Sequence, residues 1–219
     1  MKIYAISGLG ADERAYKRLD FYHELTVLKW IKPLPNERIE SYSARLAESI
    51  NTEEEFGIIG LSFGGLIAVE MSKKLKPVFT VLISTIELGN EMPWFYKLTG
   101  KIGIIRILPE RAFKIPAWLI SPLFNTRNKA LVKEIINDTD SAFVKWAISE
   151  LVVWNNKDRL KNVLKIKGTA DYLFPAISQT DTVMVQGGGH FMIVDNAKEI
   201  SRIILRWITS EYGQYKRGI

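Results

Sequence analysis

The chain has 219 residues, 47% of them hydrophobic and 25% charged, which is enough apolar material for one packed domain and too much for a disordered chain. It has no cysteine and two histidines, His23 and His190, so disulfides, cysteine-ligated zinc, iron–sulfur clusters and a thiolate nucleophile are excluded, and a multi-histidine metal site is not expected. The net charge of +6 is local: between Lys97 and Lys133 eight basic residues (Lys97, Lys101, Arg106, Arg111, Lys114, Arg127, Lys129, Lys133) stand against one acid, Glu110. The rest of the chain is therefore close to neutral, which is not the pattern of a nucleic-acid-binding domain.

In chain order, Lys2–Ile6 reads as a strand, Asp12–Leu19 as a short helix capped by Asp12, and Leu25–Trp30 as a second strand. Pro33 and Pro35 break the chain before a helical pattern over Ile39–Ile50, with apolar residues at Ile39, Leu46 and Ile50. Phe56–Leu61 is a third strand without polar alternation, as expected of a parallel strand covered on both faces. A helix over Phe63–Leu75 and a strand over Val78–Ser84 follow. Glu87–Leu160 then contains no convincing strand; it holds Pro93, Pro109, Pro116 and Pro122, two helices (Thr126–Ile136 and Ala142–Val153) and four of the six tryptophans. Alternation resumes with strands at Val163–Lys167 and Thr182–Gln186 and a helix from about Ala197 to Thr209, for which Asn196 and Glu199 make a capping pair. Strand–helix alternation with short connections predicts a doubly wound, all-parallel six-stranded α/β sheet. Residues 1–86 and 161–219 would form its core, with 87–160 a helical insertion. The start of the chain lacks the long apolar region of a secretory signal, and no stretch is apolar enough to span a bilayer, so a cytoplasmic location without stable membrane insertion is expected.

The sharpest local pattern is Gly60-Leu61-Ser62-Phe63-Gly64, a G-x-S-x-G between a predicted strand and a predicted helix. In such a turn a serine is exposed at a helix N-terminus, and glycines remove side chains that would collide with neighbouring elements. A serine hydroxyl needs a base. His23 lies at a helix–strand connection, whereas His190 follows Gly187-Gly188-Gly189 directly after the last strand, in a loop flexible enough and slim enough to reach Ser62. The base in turn needs an acid to orient it. Asp171, after the fifth predicted strand, supplies the chain order Ser…Asp…His; Glu87 and Asp158 are the rivals.

These stations resemble those of the α/β-hydrolases: the elbow around Ser62, the Gly168-Thr169-Ala170-Asp171 turn with Pro175, and Gly188-Gly189-His190-Phe191 before the last helix. Ile6-Ser7-Gly8-Leu9-Gly10 is similar to the family's oxyanion loop, with Ser7 where histidine is common. The resemblance implies Ser62 as nucleophile, His190 as general base, Asp171 as its acid, and an oxyanion hole from the N–H groups of Leu9 and Phe63. It implies acyl transfer to water from a small-molecule ester or thioester, with no metal or organic cofactor. Two N-terminal strands of the fuller family sheet are expected to be missing, and the short Asp171–His190 interval implies a turn around Ala176–Thr180 in place of a helix. The insertion corresponds to the family's variable cap. Its apolar residues (Ile115, Leu119, Ile120, Phe124) are readable as pocket lining or as a small core of their own. Its positive charge is readable as steering of an anionic substrate or as a solvated face, and Ile115–Phe124 as a lipid-contacting stretch. Other readings of the whole are a slow ligand-binding protein on a hydrolase scaffold, or a carbon–carbon hydrolase or perhydrolase.

Overall fold

The computed structural model of the chain describes residues 1–20, 23–175 and 181–212. The expected turn around Ala176–Thr180 lies outside the described residues. Six strands, β1 (Lys2–Ile6), β2 (Leu25–Val27), β3 (Phe56–Leu61), β4 (Phe79–Ile83), β5 (Val163–Gly168) and β6 (Thr182–Val185), form one sheet in the order β2-β1-β3-β4-β5-β6. Every neighbouring pair is parallel. β3 and β4 sit at the centre and every residue in them is buried, which is why they carry no polar alternation.

The period of two along each strand divides the core. Tyr4, Ile6 and Ile58 face one side, with α1 (Ile39–Ala47) and α2 (Phe63–Leu75) packed over them. Ile3, Ala5, Ile59 and Ile83 face the other, together with Ile193, Ile200 and Ile204 of the C-terminal helices. β2 ends at Val27 rather than Trp30, because Trp30 turns away to donate its indole N–H to Ala11 O at 3.1 Å. The predicted helix over Asp12–Leu19 is a single 3₁₀ turn, Glu13–Ala15, with the Asp12 side chain accepting from Arg14 N as expected of a cap.

Between β4 and β5 the described residues form no strand, only helical pieces: α3 (Trp94–Ile102), α4 (Ile104–Ile107), α5 (Ala117–Ile120), α6 (Lys129–Asp138) and α7 (Ser141–Leu151), with 3₁₀ turns among them. The two helices predicted from the sequence are α6 and α7; the earlier pieces were not predicted. The four prolines of this segment are starts. Pro93, Pro109 and Pro116 stand immediately before helical turns and Pro122 within the first positions of another, where a missing N–H costs nothing and the fixed φ suits the first turn. After β6 come α8 (Met192–Asp195) and α9 (Ala197–Trp207). Asn196 occupies the cap position of α9, but its side chain meets Glu199 at 3.3 Å and caps no backbone N–H. No helix among the described residues is long and apolar enough to cross a membrane.

Candidate active site

The carboxyl ends of β3, β5 and β6 meet at one place. Ser62 follows β3 and holds φ +53°, ψ −124°, a conformation non-glycine residues rarely adopt. What makes that strain tolerable is the absence of atoms around it. A Cβ on Gly60 would stand 2.6 Å from Gly65 Cα, and one on Gly64 would stand 2.1 Å from Ser7 O. The elbow therefore sits wedged between the end of β1 and the first turn of α2. Ser62 is half-buried at the N-terminus of the thirteen-residue α2, where free backbone N–H groups and the helix dipole favour negative charge.

His190 Nε2 lies 2.8 Å from Ser62 Oγ. Its Nδ1 lies 3.0 Å from both carboxylate oxygens of Asp171. Asp171 Oδ1 also accepts from Leu173 N at 2.9 Å and Phe174 N at 3.0 Å, so the carboxylate is clamped by its own turn. A carboxylate at both oxygens' reach of Nδ1 fixes the imidazole proton there and leaves the Nε2 lone pair to accept from the serine hydroxyl. The three residues that the sequence singled out are thus brought together despite the short interval between Asp171 and His190. Both Asp171 and His190 are buried.

The loop that carries His190 is slim, as expected, and it is tied to its surroundings. Gly187 takes φ +67°, and its N–H donates to Thr169 Oγ1 at 2.8 Å. Ala170 N donates to Gly188 O at 2.9 Å, and a Cβ on Gly168 would stand 2.0 Å from that same carbonyl. The glycines let the loop press onto the Asp171 turn. On its outer side, a Cβ on Gly189 would stand 2.0 Å from Asn125 O. Phe124 meets the imidazole edge-on at 5.5 Å and Phe174 stacks on it at 5.8 Å.

Leu9 and Phe63, the expected oxyanion donors, also lie beside the serine. A Cβ on Gly8 would be 3.3 Å from Ser62 Cβ, and Phe63 is the first residue of α2. Neither N–H has a protein acceptor among the described residues. The Gly8–Ala11 turn is closed by Ala11 N to Gly8 O at 2.9 Å and held from outside by Trp30 and by Thr139, whose hydroxyl lies 3.3 Å from Gly10 O. Phe63 is fixed by rings of Trp30 and Trp146 at 6.1 and 5.8 Å. Beyond the site, Tyr96 packs on Phe174 at 5.8 Å; burial, with the nearby Asp171 charge, pushes its hydroxyl up to about 12. Among the described residues no group of three or more His, Asp or Glu side chains could hold a metal ion.

No family model matches the chain and no curated protein matches its sequence. Solved structures do match. One is a thermophilic esterase from Thermogutta terrifontis, at TM-score 0.74 and 16% identity over 96% of this chain and 90% of that one. Another is a lipase-esterase related protein from Clostridium acetobutylicum, at 0.69 and 17% over 94% of each chain. ClbQ from the colibactin NRPS/PKS pathway is similar at 0.63 and 19%, over 95% of this chain and 97% of that one. The chain has an α/β-hydrolase fold.

Within this α/β-hydrolase fold neither the rival acids nor the second histidine is a hydrogen-bond partner of Ser62 or His190. Glu87 is fully buried but faces Lys165 Nζ at 3.2 Å, with Arg159 at 3.7 Å, and accepts from Leu160 N. Burial alone would lower the Lys165 pKa, but its contacts with Asp181, Glu91 and Glu87 raise it instead. Asp158 is exposed and engages Asn156 through its backbone. His23 stands at the amino end of β2, the end of the sheet away from Ser62. The residues that sequence reasoning did not find are Phe174 and the Phe124–Asn125 pair as supports of His190. The Pro175 turn hinted at the first; nothing local marks the second, which reaches the histidine across more than sixty residues of chain.

Proposed function

We propose that the chain is a serine hydrolase that cleaves an ester or thioester of a small, largely apolar acyl substrate through an acyl-enzyme on Ser62. The observation that carries this reading is the unbroken relay from Ser62 Oγ to His190 Nε2 and from His190 Nδ1 to Asp171, held at the strand ends by steric exclusion. The names of the similar structures, esterases and a lipase-esterase related protein among them, support it.

In this mechanism His190 Nε2 accepts the Ser62 proton as Oγ attacks the substrate carbonyl carbon. The imidazolium that forms is stabilised by Asp171, and the oxyanion is received by the N–H groups of Leu9 and Phe63. His190 returns the proton to the leaving alcohol or thiol. Water, deprotonated by the same nitrogen, then attacks the acyl-enzyme, and the acid product leaves with Ser62 restored. Residues 1–86 and 161–219 act as the catalytic core and 87–160 as the cap over it.

The test is fluorophosphonate labelling followed by intact mass. A single adduct on Ser62, absent from folded Ser62→Ala and His190→Ala variants, is expected, along with turnover of short-chain p-nitrophenyl esters or acyl thioesters. In those variants turnover should fall by roughly five to six orders of magnitude. A folded wild type that takes no adduct and turns over neither panel would end the proposal.

A further inference from the structure

We propose that the surface formed by residues 94–133 docks on a lipid bilayer bearing anionic headgroups. The inference does not depend on the hydrolase reading. Among the described residues, eleven of the fifteen exposed large hydrophobic side chains fall between Trp94 and Leu123. Ile107 is 82% exposed, Trp118 75%, Trp94 74% and Ile102 65%. Isolated exposed apolar residues are ordinary, but such a density in one segment marks a contact surface.

The geometry of α3 shows that the exposure is directional. Tyr96 packs inward on Phe174, and Gly100, one turn on, lies so close to the end of α7 that a Cβ there would stand 2.3 Å from Val152 O. Trp94, Leu98 and Ile102 repeat at i, i+4 and i+8 on the opposite side and point away from the protein. No residue of α3 is buried. An amphipathic helix in a globular core turns its apolar stripe inward; α3 turns it outward.

Charge selects the occupant. Lys97 and Lys101 are exposed on the same outward half of α3, positioned to lay their methylene stems on apolar neighbours and carry their ammonium groups to a headgroup plane. Further along, Trp118 borders an open cleft of about 450 Å³ whose wall includes Lys129 and Lys133, successive turns of α6. The exposed Lys97, Lys101, Lys129 and Lys133 would repel a second copy apposed through the same surface. A neutral apolar partner would leave them unmatched. Anionic lipid satisfies both: hydrocarbon for the tryptophan and isoleucine side chains, and phosphate for the lysines. Because these helices are short, the chain would lie on the bilayer, not span it.

The experiment is vesicle co-sedimentation of the full chain, with phosphatidylcholine alone and with phosphatidylcholine–phosphatidylglycerol, at low and high salt. The expected result is at least about tenfold tighter association with the anionic vesicles, weakened by salt, and a blue shift of tryptophan emission. Two variants, Trp94→Ser/Ile102→Ser/Ile107→Ser and Lys97→Glu/Lys101→Glu, should each keep the wild-type circular dichroism and melting temperature and lose at least about tenfold in binding. Failure of the wild type to bind, equal binding to both vesicle types, or retained binding by both folded variants would overturn the proposal. So would a wild-type dimer in solution that the serine variant abolishes, which would assign the surface to a second copy.

Discussion

The strand ends that carry Ser62, Asp171 and His190 and the helical stretch from Trp94 to Leu123 are built on opposite terms. At the strand ends space is denied: Gly60, Gly64, Gly168 and Gly189 each face another group closer than a Cβ could tolerate. In the helical stretch Gly100 presses on Val152 O, but Gly103 has nothing within 4 Å of where its Cβ would lie, and Trp94, Ile102 and Ile107 hold their large side chains in solvent. Placing a hydroxyl 2.8 Å from an imidazole requires many contacts that agree, since a loose site loses geometry before it loses fold. A surface meant to meet something outside the chain needs few internal contacts.

The largest test is Asp171→Asn. It keeps the volume of the clamp but removes the charge and offers an amide to Nδ1. A drop in turnover of about 10⁴-fold with an unchanged melting temperature is expected, as for the same exchange in other triads. A near-normal rate would mean that the tight packing serves stability and not chemistry.

Next is the same substitution in both regions. Gly64→Ala drives a methyl group into the Ser7 and Ile6 carbonyls and should destabilise by about 3 kcal/mol or more in urea unfolding. Gly103→Ala meets no atoms, only the left-handed backbone at φ +69°, and should cost about 1 kcal/mol. Equal costs would erase the distinction.

How much of this was readable in the sequence follows from the same contrast. β3 and α2 were delimited to the residue, because an unbroken apolar run, a glycine turn and a helical run follow one another without ambiguity. Ser62 and His190 stood out because serine between glycines is a steric statement and only two histidines exist. β2 was overextended, since an edge strand of three residues is cut by a side chain, Trp30, whose partner is nineteen positions away. The helical turns of the middle segment were missed because proline signals an ending and a beginning alike. Ile115 and Leu119, which read as pocket lining or a local core, face solvent. The Lys165–Glu87 pairing joins residues 78 apart, and no local pattern announces it.

A smaller effect tests whether denial of space is complete at the strand ends. Lys167 is buried on β5, its amine has no hydrogen-bond partner among the described residues, and burial pulls its pKa below the ordinary lysine value. The charged form is penalised only in the folded state, so the penalty is present at neutral pH and disappears as pH rises towards 10.5. Lys167→Met should therefore raise the melting temperature at pH 7 by a few degrees. That gain should shrink at alkaline pH. A lower melting temperature would reveal a favourable role for the amine.

The smallest effect is expected at Ile107, whose side chain touches little. Ile107→Ser should leave stability within about 0.5 kcal/mol of wild type. A larger loss would show that α4 is packed more firmly than its exposure indicates.

The contact of Asn125 with Gly189 carries a consequence for how such a chain can change. The carbonyl of Asn125 fills the room a side chain at 189 would need, and its amide donates to Ala170 O at 3.1 Å. One dipeptide, Phe124–Asn125, therefore rests on both the histidine loop and the aspartate turn. Substitutions at outward positions such as Trp94, Ile102 and Ile107 can accumulate without disturbing the reactive groups so long as this anchor and the Tyr96–Phe174 contact keep their place. The outward face is free to diversify, and what ties the stretch to the reactive groups is one dipeptide and one aromatic contact.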